Sequence, residues 1–320
     1  MRDEAPPVAA VVLTWNNFSD TDECLRSVAN LHYQRLSVVV VDNGSTDSSA
    51  ERLEGVWGGR AKFVRNHANL GVAAGYNAGI REALAQGAEY VLLLNNDVVV
   101  DPGLLDALLP AFEAEPRLGT ISPLITYYEN RERLWFAGAV YNRFLGLARH
   151  VYLSRPVTAA SKRLGRLFES DYVPNCSALT PAEAFRRAGL LDEAFFLGLE
   201  DIDWCLRLRS LGYRIRVCGR PLTAHKVSAS AGFRGSNVLS PAQAYHYARG
   251  SILLGRRWSP GIRFVPYFAG QLLVRFPYYS LQMAIHGRPR GIPSYLRGLW
   301  DGFRLYVLEG KTSAPPPAPA

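Results

Sequence analysis

Hydrophobic positions in the first hundred residues fall into short runs separated by amphipathic stretches. Val8–Leu13, Leu36–Val41 and Tyr90–Leu94 are nearly all apolar. Runs of that length, too short to cross a membrane, predict strands buried on both faces of a parallel sheet. Ala61–Val64 predicts a shorter strand. Between these runs the spacing becomes helical. Cys24, Leu25, Val28 and Leu31 recur on one face of a helix over Asp20–Leu31, with Ser19 as its N-cap. Val72–Ala85 predicts a second helix, and Pro102–Glu115 a third with proline at its start. Strands alternating with helices predict an α/β fold, Rossmann-like, with a mostly parallel sheet and helices on both faces.

Further along, Gly119–Pro123, Leu134–Tyr141 and Tyr213–Val217 read as strands, and residues 143–166 as a basic loop or flap. Thr180-Pro181-Ala182-Glu183 has the form of a capping box that opens a helix. Another helix begins near Glu200, with Trp204, Cys205 and Leu208 on its apolar face and Gly212 at its end. His225 follows the last strand in a loop. No internal repeat is present.

Three strands stop at polar residues: the first at Thr14 and Asn16, the second at Asp42 and Asn43, and the strand from Tyr90 at Asn95, Asn96 and Asp97. Right-handed crossovers bring these carboxyl ends to one edge, where open α/β sheets bind ligands. One polar strand exit is ordinary turn chemistry; three converging exits are not required by it. A carboxylate such as Asp97 between amides suits a hard divalent cation, and such a cation suits a pyrophosphate. The segment Asn69–Gly79 opens a helix with Gly71, Gly75 and Gly79 four apart. That is not G-x-G-x-x-G, and it follows the third strand, which argues against a dinucleotide-binding dehydrogenase.

Glu200, Asp201 and Asp203 put three carboxylates into four residues at a helix start. Such acids can simply complement the helix dipole, and Asp203 can pair with Arg207 one turn on. Positions 200 and 203 lie near one another on the helix surface, so Asp201 is left as the candidate for an acid facing a cleft.

Composition narrows the setting. Four cysteines (Cys24, Cys176, Cys205, Cys218) show no paired spacing and suit a reduced, cytoplasmic protein. The first residues show no signal peptide. The net charge is +8, and most of it lies in residues 255–311, which carry nine Lys or Arg, two acids and 11 aromatic residues. Arg256, Arg257, Arg263, Arg275, Arg288, Arg290, Arg297 and Arg304 lie there among Trp258, Phe264, Phe268, Phe276, Tyr278, Tyr279 and Trp300. Prolines and arginines interrupt the apolar runs, so the segment is expected to lie on an anionic membrane surface rather than span it. Packing against the preceding domain, or against a second copy in a homodimer, is the other reading. Proline-broken apolar runs favour lipid over nucleic acid. The expected organisation is a domain over 1–254, a helical membrane-associating segment over 255–311 and a disordered Pro/Ala tail over 312–320.

The succession VVLTWNN, VVVDNGSTD, NLGVAAGYNAG, LLLNNDVVVD and GLEDIDWCLRLRSLGYRI resembles the family-2 glycosyltransferases of the GT-A fold, in particular the bacterial rhamnosyltransferase-like branch that builds cell-envelope polysaccharides. The resemblance covers about residues 8–230. It implies a donor pocket of Thr14, Asn16 and Asp42 for the nucleoside, with Asp42 reading the base. Asn69, Gly71 and Asn77 would contact the nucleotide sugar, beside Asn95 and Asn96 on the central strand end. Asp97 matches the last acid of the family's Asp-x-Asp motif, and His225 a histidine that completes the metal site for Mg²⁺ or Mn²⁺. Asp201 matches the catalytic base, with Glu200, Asp203 and Trp204 as secondary candidates. Asn95 stands where the motif's first acid would be, which lowers the negative charge at the metal.

The implied reaction is one in-line displacement that inverts the anomeric centre. A sugar, rhamnose from dTDP-rhamnose, moves from a nucleoside diphosphate to a lipid-linked or glycan acceptor at the inner face of the cytoplasmic membrane. A metal neutralises the leaving diphosphate, and a carboxylate takes the acceptor's proton. A nucleotidyltransferase would place a glycine-rich basic phosphate loop after the first strand, and TWNNFSD is neither glycine-rich nor basic. A non-catalytic nucleotide-binding protein would not need Asp97, Asp201 and His225 together.

Overall fold

The computed structural model describes residues 5–227 and 238–310. In chain order its elements begin β1 (Val8–Thr14), α1 (Phe18–Ala29), β2 (Leu36–Asp42), α2 (Ser49–Trp57), β3 (Lys62–Arg65), α3 (Val72–Ala85), β4 (Tyr90–Asn95) and β5 (Val98–Val100). There follow α4 (Leu104–Leu108), α5 (Pro110–Ala114), β6 (Leu118–Tyr127), β7 (Leu134–Phe136), β8 (Ala139–Asn142), β9 (Leu147–His150) and β10 (Leu167–Glu169). The remainder is β11 (Ser177–Pro181), α6 (Ala182–Ala188), α7 (Glu200–Ser210), β12 (Arg214–His225), α8 (Pro241–Trp258), α9 (Phe264–Gly270), α10 (Phe276–Ile285) and α11 (Gly291–Phe303).

The central sheet runs β10-β12-β6-β11-β4-β1-β2-β3, with β5 on β12 and β7 on β6. Strands β3, β2, β1 and β4 are parallel neighbours, as their apolar runs predict. β1 is buried along its whole length, which is why it reads as apolar without alternation. β11 enters antiparallel between β4 and β6, and β12 runs parallel to β6. Helix α3 lies close against β1 and β2 because it presents glycines. A Cβ on Gly79 would sit 2.4 Å from Val11 and one on Gly75 2.5 Å from Leu13.

Several local expectations are corrected. Asn17, not Ser19, caps α1: its backbone is left-handed and its side chain accepts from the Asp20 N–H at 3.3 Å. The helix expected over Pro102–Glu115 is divided at Pro110, whose nitrogen has no hydrogen to give. The strand expected over Leu134–Tyr141 breaks into β7 and β8 around Gly138, where φ is 91°. The Thr180 capping box does not form. Thr180 belongs to β11, and its hydroxyl donates to Thr120 Oγ1 at 2.9 Å. β12 is much longer than Tyr213–Val217, and His225 ends it rather than lying in a loop.

Helix α8 crosses the change of character at residue 255 and packs along α11. The approach needs Gly298, whose Cβ would meet the Tyr245 carbonyl oxygen at 2.2 Å. α9, a π-helical turn over Gln271–Arg275 and α10 follow one another with right-handed helical backbone at each junction. Among the described residues, no helix is long and apolar enough to cross a membrane. Three arginines grouped by sequence with a membrane-facing set point inward instead. Arg257 pairs with Asp192 and Asp203, Arg275 bonds Tyr247 and Gly146, and Arg256 donates to the Tyr306 carbonyl. The Pro/Ala tail over 312–320 lies outside the described residues.

Candidate active site

Register brings the polar strand ends together. Thr14 pairs with Asp42 across β1 and β2, and Leu13 pairs with Asn95 across β1 and β4. The Thr14 hydroxyl, itself buried, shares a hydrogen bond with Thr21 at 2.9 Å and receives one from Asn96 Nδ2 at 3.2 Å. Asn96 is thus spent on the β1–α1 junction. Asn16 and Asn17 both have positive φ, 59° and 63°. Asn16 fastens the β1 exit to the β2 exit: its N–H donates to Ser45 Oγ at 2.7 Å and its side chain accepts from Thr46 N at 2.8 Å. Asp42 is buried, and its Oδ1 accepts from Ser45 N at 3.0 Å. Trp15, between Thr14 and Asn16 in sequence, is 40% exposed.

The segment before α3 is ordered by Asn43, which the sequence places at the β2 exit without a site role. Asn43 donates to Asn69 Oδ1 and to the Gly71 carbonyl, both at 3.1 Å, and accepts from Asn66 Nδ2 at 2.9 Å. Gly71 has φ 88°, and a Cβ there would lie 2.5 Å from the Phe196 carbonyl oxygen. That carbonyl instead accepts from Val72 N at 2.7 Å. Asn77 is buried, and its amide clasps the backbone of Leu191 in both directions, at 2.9 and 3.0 Å. It holds the loop that leads into α7 rather than pointing into the pocket. α3 therefore sets where α7 begins.

That beginning is unusual. Gly198 and Leu199 are both left-handed, φ 79° and 72°, and turn the chain sharply before Glu200. Asp203 faces the interior: it receives Arg207 Nε at 2.9 Å, Arg257 Nη1 at 2.7 Å and Trp258 Nε1 at 2.9 Å. Trp204 is buried and stacks on Phe185 with centroids 4.9 Å apart, so it belongs to the core. Asp201 is half-buried, and its Oδ1 accepts from Ile202 N at 2.7 Å. Burial pushes its carboxyl up to about 6. Glu200 is more deeply buried, and its Oε2 has no hydrogen-bond partner among the described residues. Burial first, then the neighbouring Asp201 charge, push Glu200 up to about 8.

Asp97 follows β4 and precedes β5. Because β5 pairs antiparallel with β12, Val98 lies opposite His225. His225 Nε2 then comes 3.1 Å from Asp97 Oδ1, with both side chains 7% exposed. Trp135 meets the His225 ring edge to face at 4.5 Å and fixes its plane. Ligands about 2.1 Å from a divalent ion and at right angles lie roughly 3.0 Å apart, so the pair fits two adjacent coordination positions. Among the described residues no set of three His, Cys, Asp or Glu side chains is arranged for a metal. A metal here would take its other ligands from phosphate oxygens and water.

Asn95 is oriented by Tyr76, whose hydroxyl donates to its Oδ1 at 2.7 Å. Beneath this group lies the buried Cys176 thiol, whose backbone carbonyl accepts from Asn95 N at 3.3 Å. Burial raises that thiol well above its ordinary value, and the charges of Asp97 and then Asp201 raise it further. The metal-pair acid and the acid at the start of α7 therefore share one electrostatic neighbourhood. Tyr76 and Asn43 lie inside the motif stretches without an assigned role, and Trp135 and Cys176 lie in none of them. All four are defined by tertiary contact alone.

A 253-residue stretch, 78% of the chain, is 23% identical to the dTDP-rhamnosyl transferase RfbF of Shigella flexneri, across 80% of that protein. The N-acetylglucosaminyl-diphospho-decaprenol L-rhamnosyltransferase of Mycobacterium tuberculosis is 26% identical over 273 residues, 77% of this chain and 82% of that one. Among solved structures, GalNAc-T7 with UDP, GalNAc and Mn²⁺ superposes with a TM-score of 0.59 at 14% identity, over 87% of this chain and 58% of that one. That likeness shows the GT-A fold. Residues 9–178, more than half of the chain, match the family described as Glycosyl transferase family 2, and the chain belongs to that family.

Proposed function

We propose that the chain is an inverting, metal-dependent glycosyltransferase that moves a sugar from a nucleoside diphosphate to a hydroxyl of a lipid-linked or glycan acceptor in cell-envelope polysaccharide synthesis. The observation that carries this reading is the pairing of two groups around one cleft. Asp97 with His225 fits a divalent ion, and Asp201 supplies a raised, half-buried carboxylate nearby. Asp97 and His225 would hold Mg²⁺ or Mn²⁺, which would supply positive charge against the leaving diphosphate.

The chain's own residues do the rest. The Thr14–Asn16–Asp42 edge holds the nucleoside, and Asp42 accepts from the base. Gly71 and Asn69 shape the path of the diphosphate sugar, with Asn95 beside it. Asp201 takes the proton of the attacking hydroxyl. Asn77 and Asp203 act by position, holding α7 so that Asp201 faces the cleft. The Shigella relative, named a dTDP-rhamnosyl transferase, favours dTDP-rhamnose as donor, and the mycobacterial rhamnosyltransferase, named for a diphospho-decaprenol acceptor, favours a lipid-linked acceptor. Such an acceptor supports a peripheral location at the inner face of the cytoplasmic membrane.

A donor screen by nucleoside-diphosphate release tests the proposal, with dTDP-, UDP- and GDP-sugars and Mn²⁺ or Mg²⁺. Release from dTDP-rhamnose that depends on added acceptor supports it. No release from any donor with either metal overturns it.

A further inference from the structure

The helical layer that covers the acid-bearing side of the cleft is built inside out. Within α9, the π turn and α10, the polar side chains face inward. Gln271 and Arg275 are 0% and 4% exposed. Gln271 Nε2 donates to the carbonyls of Leu145 and Gly146 at 3.1 and 3.2 Å, and Arg275 Nη1 donates to Gly146 at 3.1 Å. Large apolar side chains face outward: Ile262 is 83% exposed, Leu273 76%, Leu281 60% and Ile285 63%. Tyr278, Leu281 and Ile285 follow at helical spacing and make one stripe, and Trp300 on α11 is 61% exposed. Of the nineteen exposed large apolar side chains among the described residues, eleven fall between Ile262 and Leu308. Concentration of that kind marks an interaction surface.

Charge selects the occupant. From Ser259 to Gly310 the chain carries six arginines against Asp301 and Glu309. Of the six, Arg275 faces inward, Arg297 and Arg304 are exposed beside Asp301 and Glu309 at 3.6 and 2.8 Å, and Arg263 and Arg290 are exposed, so the outer face keeps a net positive charge. A second copy would bring like charges together around the apolar face. A bilayer with acidic headgroups offers the complement, an apolar interior and an anionic rim. Among the described residues no helix is suited to spanning, and the segment would lie in the plane of the interface.

We propose that the outer faces of α9, the π turn, α10 and α11 seat the chain on an anionic bilayer surface and turn the acceptor side of the cleft toward it. The link to the site is short. Arg275 bonds the Tyr247 hydroxyl, and the Tyr247 ring lies 3.3 Å from where a Gly198 Cβ would be, just before Glu200 and Asp201. The orientation of the cleft rests on the proposed transferase reading; the seating does not.

The test is co-sedimentation of the full chain with vesicles of phosphatidylcholine alone or mixed with phosphatidylglycerol, without donor or metal. At least tenfold stronger binding to the acidic vesicles is expected, weakening with salt. Leu273→Glu with Leu281→Glu should cost tenfold or more in vesicle binding and leave thermal unfolding unchanged, because both side chains are exposed. The milder Trp300→Phe should abolish a lipid-induced blue shift in tryptophan emission. Failure of the parent chain to bind acidic vesicles overturns the proposal. So does a dimer in sedimentation velocity that the double substitution dissociates, since the face would then be covered by a second copy. Vesicle binding by a chain with no transferase activity would sink the functional reading and leave the seating intact.

Discussion

Arg257 reaches Asp203 at 2.7 Å, so the helix that carries Asp201 is bolted to α8 by a largely buried ion pair. Arg257 also holds Asp192 in the loop before α7, and Trp258 adds its indole N–H to the same carboxylate. Removing one partner of a buried pair leaves an uncompensated charge. Arg257→Leu should therefore destabilise the chain by about 3 kcal/mol, the low end of the range for buried pairs, because Arg207 still holds Asp203. Chemical denaturation measures it. A loss under about 0.5 kcal/mol, as for an exposed pair, would show that the bolt does not form.

The Asp203–Arg207 pair was legible in the sequence because it is one helical turn. The Asp203–Arg257 pair was not, because nothing local joins residues 54 apart. The same division runs through the fold. The buried parallel strands and α3 were legible because continuous apolar runs and helical spacing have one local solution. The reversed direction of β11, the length of β12 and the failure of the Thr180 capping box follow from sheet pairing, which no local pattern encodes. At the site, the polar strand ends could be read from sequence. The use of Asn77 to hold Leu191, and of Asn43 to order the Asn69–Gly71 segment, is purely tertiary.

The metal pair makes a prediction independent of turnover. Asp97→Ala should abolish Mn²⁺ binding seen by electron paramagnetic resonance in the presence of nucleoside diphosphate. His225→Ala should weaken it about 10–100-fold, and Trp135→Leu should do the same more mildly, because Trp135 only orients the ring. Unaltered Mn²⁺ spectra in Asp97→Ala would place the ion elsewhere.

Asp42 offers the next test. Losing a charged hydrogen-bond acceptor costs roughly 1.5–3 kcal/mol, so Asp42→Ala should weaken nucleotide binding by one to two decades in calorimetry. Asp42 also accepts from Ser45 N, so Asp42→Asn, which keeps that acceptor, separates base recognition from loop order. If Asp42→Asn binds nucleotide as the parent does, Asp42 serves the loop alone.

Glu200 predicts a pH dependence of stability. Its folded pKa is pushed up to about 8 from the ordinary 4.5. Between those values the folded state holds a proton that the unfolded state has released, so this group's contribution falls as pH rises. It is fully present below about pH 4.5 and lost through pH 8. Glu200→Gln should leave the unfolding temperature nearly unchanged at pH 5 and raise it relative to the parent at pH 9. An equal effect at both pH values would mean that Glu200 is not held neutral.

Asp201 carries the sharpest prediction, because geometry and ionisation point the same way. Asp203 is tied to two arginines and Glu200 keeps its proton up to about pH 8, so Asp201 is the acid of this helix start that is ionised at neutral pH and has no cation partner among the described residues. Asp201→Asn keeps the shape and removes the proton acceptor. Loss of a general base typically costs about 10²–10⁴-fold in rate, and donor affinity should hold because the base acts on the acceptor. With a pKa near 6, kcat of the parent should fall tenfold per pH unit on the acid side of that value. Glu200→Gln should leave this acid limb in place, since Glu200 is already protonated there. The experiment is kcat against pH for the parent, Asp201→Asn, Glu200→Gln and Asp203→Asn, with donor affinity measured on each. Near-normal kcat in Asp201→Asn beside a collapse in Glu200→Gln would move the base to Glu200. An acid limb that shifts in Glu200→Gln would show that the two acids titrate as one unit.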